Sequence, residues 1–106
     1  MDKEISPTEA YELKKNNPDT LLLDVREDAE LEICRIGGAL HVPMGQIGEH
    51  HEKLPKGVFL VVFCHHGMRS MSVVQFLSTK GFDKAINMAG GIHAWQQEVD
   101  PSLATY

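Results

Sequence analysis

Apolar residues in this chain fall in short dense runs, and the segments between them carry a helical or turn pattern. The two densest runs, "TLLLDV" (20–25) and "VFLVVF" (58–63), are continuous rather than alternating. That is the pattern of strands buried on both faces. "ALHVP" (39–43) predicts a short strand stopped by Pro43, and "KAINM" (84–88) predicts another. Ser6, Pro7 and Glu9 form a helix start: a capping hydroxyl, a proline in the first turn and an acid three residues after the cap. That helix runs to about Lys15, and "NNPD" ends it. Short helices are expected over 27–34 and 46–54, with "RIGGA" as a glycine turn. From Arg69 to Lys80, Val73, Val74 and Leu77 share one helical face with Phe76 beside it. Gly81 fits the left-handed position after the helix, with Phe82 packing back. "AGG" (89–91) reads as a tight turn and "IHAWQQEV" (92–99) as a final short helix.

Strands that alternate with helices, and are too apolar to have a wet face, predict an α/β fold. We expect an open, mostly parallel sheet of about five short strands with helices on both faces. No repeat, low-complexity tract or linker divides the chain, so one domain over residues 1–106 is expected. Ligands of such sheets bind beyond the carboxyl ends of the strands. Cys64 stands at the carboxyl end of the strongest one.

Composition changes this picture little. At 42% hydrophobic and 24% charged, the chain is ordinary for a globular protein. A net charge of −5 disfavours nucleic acid and anionic membrane as partners. No apolar run is long enough to span a bilayer, and the acidic start "MDKEISPTEAYELKK" lacks the pattern of a signal peptide. A cytoplasmic location is therefore expected, where Cys34 and Cys64 stay reduced and available for chemistry.

The stretch "FCHHGMRS" concentrates that chemistry. The backbone must turn from strand to helix between Cys64 and Ser70, and Gly67 permits a tight curve with positive φ. Successive N–H groups can then converge as an anion nest, and the following helix adds its positive dipole end. Arg69 adds a full charge nearby. Each effect favours thiolate over thiol, so Cys64 is expected to be a nucleophile of depressed pKa rather than an inert core residue. The spacing from Cys64 to Arg69 is C-x4-R.

With these residues the chain resembles the rhodanese family of sulfurtransferases in its single-domain form. The resemblance covers "LLLDVREDAELEICRIGGALHVP", "FCHHGMRS" and "GFDKAINMAGGIHAW". Phosphatases and arsenate reductases of similar fold carry a C-x5-R loop, one residue longer. Protein tyrosine phosphatases also rely on a separate aspartic acid that has no assignable counterpart here. The segment "EVDPSLATY" is similar to the rhodanese domain fused to adenylyltransferases of molybdenum-cofactor and thiamine biosynthesis. The resemblance implies that Cys64 takes the outer sulfur of a donor such as thiosulfate and passes it to a thiophilic acceptor: cyanide, a thiol or a protein. It implies a persulfide on Cys64, ping-pong kinetics and no cofactor. The alternative is a sulfur-carrier or interaction module serving a biosynthetic partner protein, with slow turnover of free thiosulfate. A redox or phosphatase enzyme is a third reading. The loop spacing opposes phosphatase, and the missing CxxC opposes disulfide exchange.

His65, His66, Gly67, Met68, Arg69 and Ser70 make up the expected active-site loop around Cys64. His65 and His66 either line the pocket mouth, binding donor anions when protonated, or contribute only backbone N–H groups. Three consecutive residues chelate poorly and no CxxC or HxxxH pair adds ligands, so no metal is expected. Arg69 either contacts the donor anion or braces the loop by pairing with Asp24 or Glu27. Ser70 either bonds the sulfur or caps the helix, with capping preferred. The resemblance makes Asp24 and Arg26 structural. His50 and His51 are expected at the surface, Trp95 in the core beside His93 on the last helix, and Cys34 as a small buried hydrophobe.

Overall fold

The structure is a computed structural model that describes residues 3–106. Five strands form one sheet: β1 (Glu4–Ile5), β2 (Leu21–Asp24), β3 (Leu40–His41), β4 (Leu60–Phe63) and β5 (Ala85–Met88). Their order is β1-β5-β4-β2-β3, and every pairing is parallel. The helices are α1 (Pro7–Asn16), α2 (Asp28–Ile33), α3 (Ile47–His50) between two single 3-10 turns, α4 (Met68–Thr79) and α5 (Gly91–Glu98).

The continuous apolar runs became β2 and β4, two of the three interior strands, as double-sided burial requires. β2 and β4 pair in register from Leu21↔Leu60 to Asp24↔Phe63. Alternate side chains feed two cores. Leu23, Leu60 and Val62 meet Val73, Val74 and Leu77 of α4 on one face. Leu22, Val61 and Phe63 meet Ala10 of α1 and Ile92 and Trp95 of α5 on the other. Trp95 lies in this second core, as expected.

Local signals set the helix ends. Ser6 and Glu9 form the reciprocal capping box, with Ser6 N–H to Glu9 Oε1 at 2.8 Å and Glu9 N–H to Ser6 Oγ at 3.1 Å. After α4, Gly81 takes φ +90°, Phe82 N–H donates to Leu77 C=O and Gly81 N–H to Ser78 C=O. This is the two-bond glycine stop its position predicted.

Several boundaries differ from expectation. Strand β1 carried no apolar signal; it forms because Glu4 and Ile5 find the open edge of β5. The helix α5 starts at Gly91, inside the expected turn, because its first amides have carbonyl partners in the Cys64 loop. His51 does not sit free on the surface. Its ring packs edge-on against Phe76 at 5.3 Å between centroids and near Phe82 at 6.4 Å.

Chain order moves from β2 outward to β3, then back across β2 to β4. The segments that follow β2 and β4 therefore leave the sheet toward opposite faces: Cys34 and Ile36 pack in one core and α4 in the other. A crevice between neighbouring strand ends results. Cys64 follows β4 at this end of the sheet.

Candidate active site

The loop from Cys64 to Gly67 wraps its own sulfur. Cys64 is 1% exposed, and Gly67 turns the backbone with φ +106° as the residue preceding α4. Gly67 N–H donates to Sγ at 3.1 Å and Ser70 N–H at 3.4 Å, and the Ser70 hydroxyl donates at 3.3 Å. Burial pushes the Cys64 thiol up. The Ser70 hydroxyl and the N–H groups of Ser70, Gly67 and His66 outweigh it, and the net shift is downward. The nest and the helix start predicted from Gly67 are both present.

Ser70 corrects the capping expectation. It lies inside α4 and is fully buried, Gly67 occupies the cap position, and the Ser70 hydroxyl serves the sulfur. The helix starts earlier than its apolar pattern because Met68 joins it, and Met68 stays 84% exposed at the mouth.

Arg69 pairs with neither Asp24 nor Glu27. Its fork meets both oxygens of Glu30 on α2, Nη1 to Oε1 at 2.7 Å and Nη2 to Oε2 at 3.0 Å. The Arg69 guanidinium holds the Glu30 carboxyl down at about 2, and Glu30 raises Arg69 in return. Asp24 is taken by Arg26, which is fully buried and donates to it through Nε and Nη2, the latter at 2.8 Å. Arg26 also donates to the carbonyl of Cys34 at 2.8 Å, so this pair stitches the β2 end to the segment after α2, as a structural role requires. Glu27 precedes α2 as its cap residue.

Sequence reasoning missed Glu30 and Tyr106. The Tyr106 hydroxyl donates to Glu30 Oε2 at 2.6 Å and accepts from Arg26 Nη1 at 3.1 Å. Its ring stacks flat on His65, 3.7 Å between centroids and 8° between planes. Burial, with Glu30 adding to it, pushes Tyr106 up to about 12, so it stays a donor. Nothing local marks either residue: one is an acid among five between Asp24 and Glu32, the other lies 76 positions from its partner.

His65 is half-buried, and His66 is exposed. Burial and the neighbouring His66 and His93 imidazoles lower His65 below its ordinary value, against the pull of Glu30. That favours the neutral ring and works against anion attraction by His65. The loop is held from behind. Asn87 Nδ2 donates to Gly67 C=O at 3.1 Å, and the first amides of α5 donate to Cys64 and His65 carbonyls at 2.8 and 3.1 Å. Cys34 and Cys64 lie in cores on opposite faces of the sheet, which leaves disulfide exchange between them without a geometry. No helix among the described residues is long and apolar enough to cross a membrane.

Known proteins are similar to this chain in sequence and fold. The family described as the rhodanese-like domain matches residues 6–98. The thiosulfate sulfurtransferase GlpE of Coxiella burnetii is 38% identical over 96 residues, 91% of this chain and 89% of that protein. MoeZ of Mycobacterium tuberculosis, whose name joins adenylyltransferase and sulfurtransferase, is 33% identical over 104 residues, 96% of this chain and 26% of that protein. A rhodanese-like domain protein from Staphylococcus aureus superposes with a TM-score of 0.83 at 30% identity, covering 99% of both chains. The nested cysteine, the parallel sheet and these likenesses agree, and the chain belongs to the rhodanese-like domain family of sulfurtransferases.

Proposed function

We propose that the chain transfers a sulfane sulfur from thiosulfate, or a related persulfide donor, to a thiophilic acceptor through a persulfide on Cys64. The observation that carries this reading is the convergence of two backbone N–H groups and the Ser70 hydroxyl on one buried sulfur. Donors placed this way stabilise an anionic sulfur both before and after it gains a second sulfur. The name of the Coxiella burnetii relative supports thiosulfate as the donor.

In the first step the Cys64 thiolate attacks the outer sulfur of thiosulfate. The S–S bond to the sulfonate sulfur breaks, sulfite leaves with that bonding pair, and Cys64 carries the persulfide anion. In the second step cyanide, or a thiolate, attacks the outer sulfur. The S–S bond breaks toward Cys64, thiocyanate or a new persulfide leaves, and the thiolate is restored. No net oxidation occurs, so the cycle needs no second cysteine and no cofactor. His66, Gly67 and Ser70 supply donors to the sulfur, and Met68 borders the mouth. Arg69 positions the loop through Glu30 rather than meeting the donor first.

Intact mass tests the proposal. Thiosulfate should add the mass of one sulfur to the chain, cyanide should remove it, and Cys64→Ala should do neither. Wild-type turnover by Cys64→Ala would overturn the mechanism. Loading without turnover of free cyanide would point instead to the carrier role.

A further inference from the structure

We propose that His65, His66 and His93 form a binding site for one divalent transition-metal ion of the zinc type at the rim of the Cys64 loop. The chain order hides this set, because His93 lies 27 positions beyond His66, on α5, whereas His65 and His66 lie in the loop before α4. In the fold, one ligand nitrogen from each of the three imidazoles lies within 4.8 Å of the other two. The ring centroids of His65 and His66 are 3.9 Å apart, and those of His66 and His93 are 5.1 Å apart.

Three features make this more than a surface coincidence. The first is that the two ligand-bearing elements are joined by backbone. Ile92 N–H donates to Cys64 C=O at 2.8 Å, and His93 N–H donates to His65 C=O at 3.1 Å. His93 is thus tied directly to His65, with no mobile loop between them. The second is that the approach depends on Gly91, where a Cβ would stand 2.5 Å from the carbonyl oxygens of Cys64 and His65. The third is that two of the rings are held. Tyr106 stacks on His65, and the Gln97 amide one turn along α5 reaches His93 Nε2 at 3.4 Å. The exposed His66 is free to swing in.

The chemistry selects the ion. Imidazole nitrogen suits zinc, copper and nickel and has little affinity for magnesium or calcium. With metal–nitrogen bonds of about 2.0–2.1 Å, tetrahedral ligands stand roughly 3.3 Å apart, which a side-chain rotation from the present spacing reaches. Three histidines leave a fourth position open for water or a sulfur anion. The expectation of no metal rested on Cys64, His65 and His66 as consecutive ligands. The fold takes Cys64 out of the set and puts His93 in.

Zinc binding to the folded, sulfur-free protein tests this and does not depend on the sulfur-transfer reading. Calorimetry with Zn²⁺ should give one ion per chain for the wild type. His93→Ala and His66→Ala should each weaken binding at least about tenfold, the lower end of what loss of even an orienting partner costs a metal site. Cys64→Ser should bind as the wild type does. Thermal melts of the metal-free variants check folding, and Zn²⁺ should raise the melting temperature of the wild type more than that of His93→Ala at the same concentration. Absence of binding to the wild type, wild-type affinity in both histidine variants, or loss confined to Cys64→Ser would each overturn the site. The last of these would assign the ion to the thiolate.

Discussion

At the scale of single residues, the decisive one is Ser70. A hydroxyl at the start of a helix ordinarily caps it, but here Gly67 already occupies the cap position and Ser70 lies inward, against Sγ. Its donor is spent on Cys64 Sγ, where it favours the thiolate, so Ser70→Ala removes that hydrogen bond and leaves the side-chain volume almost unchanged. The Cys64 pKa should therefore rise in Ser70→Ala, and sulfur transfer at neutral pH should slow. Alkylation rate against pH, in metal-free buffer, measures this directly: the wild-type midpoint should fall below that of a free cysteine and the variant midpoint should lie higher. Coincident profiles would mean that the backbone amides alone set the thiolate.

At the scale of elements, the site is a junction of α2, α4 and α5 over the end of β4. Arg69 on α4 and Glu30 on α2 close it across the crevice through a two-pronged pair. Because the Arg69 side chain is 36% exposed, solvent screening limits the pair to about 1 kcal/mol of stability. Arg69→Ala and Glu30→Gln should thus lower the melting temperature modestly and by similar amounts, and the double variant should add little. Arg69→Lys keeps the charge but loses the planar fork, so it should fail to restore the wild-type melt. Arg69→Ala that raised only the KM for thiosulfate, with an unchanged melt, would instead make Arg69 a donor-binding group. The α5 junction is stiffer. A Cβ on Gly91 would press at 2.5 Å on two backbone carbonyls, at φ +61°. Gly91→Ala should cost at least about 2 kcal/mol, a fall of roughly 8 °C or more in melting temperature for a domain of this size. A wild-type melt would show that α5 can shift without strain.

At the scale of the whole molecule, pH reads out the same junction. Glu30 titrates near 2 in the fold against an ordinary 4.5, so the folded state holds its proton less tightly than the unfolded chain. Its contribution to stability is complete above about pH 4.5 and is lost as the pH falls through about 2. The stability gap between wild type and Glu30→Gln should be widest near neutrality and shrink across that acid window, as chemical denaturation at several pH values would record. A gap that stayed constant to pH 2 would mean that Glu30 keeps its ordinary pKa.

Read in one dimension, the chain already determined its layers and marked Cys64 as its candidate nucleophile. Continuous apolar runs of about six residues, too short for a helix of their own, pack as strands buried on both faces, the Ser6–Glu9 and Gly81–Phe82 signals act within one turn, and a cysteine ending such a strand before Gly67 and a helix has few uses. All of these depend on neighbours in sequence, which is why they were legible. Tertiary structure alone decided which acid Arg69 meets, since Asp24, Glu27 and Glu30 all offer a carboxylate in the same stretch, Arg26 claims Asp24 in the core, and the docking of α4 beside α2 sets Arg69 against Glu30. It also decided the edge strand β1, which has no pattern of its own and exists because β5 leaves hydrogen bonds unpaired. The juxtaposition of His65, His66, His93 and Tyr106 belongs to the same class. Contacts spanning 27 to 76 positions are set by how the helices dock on the sheet, and no local spacing encodes that.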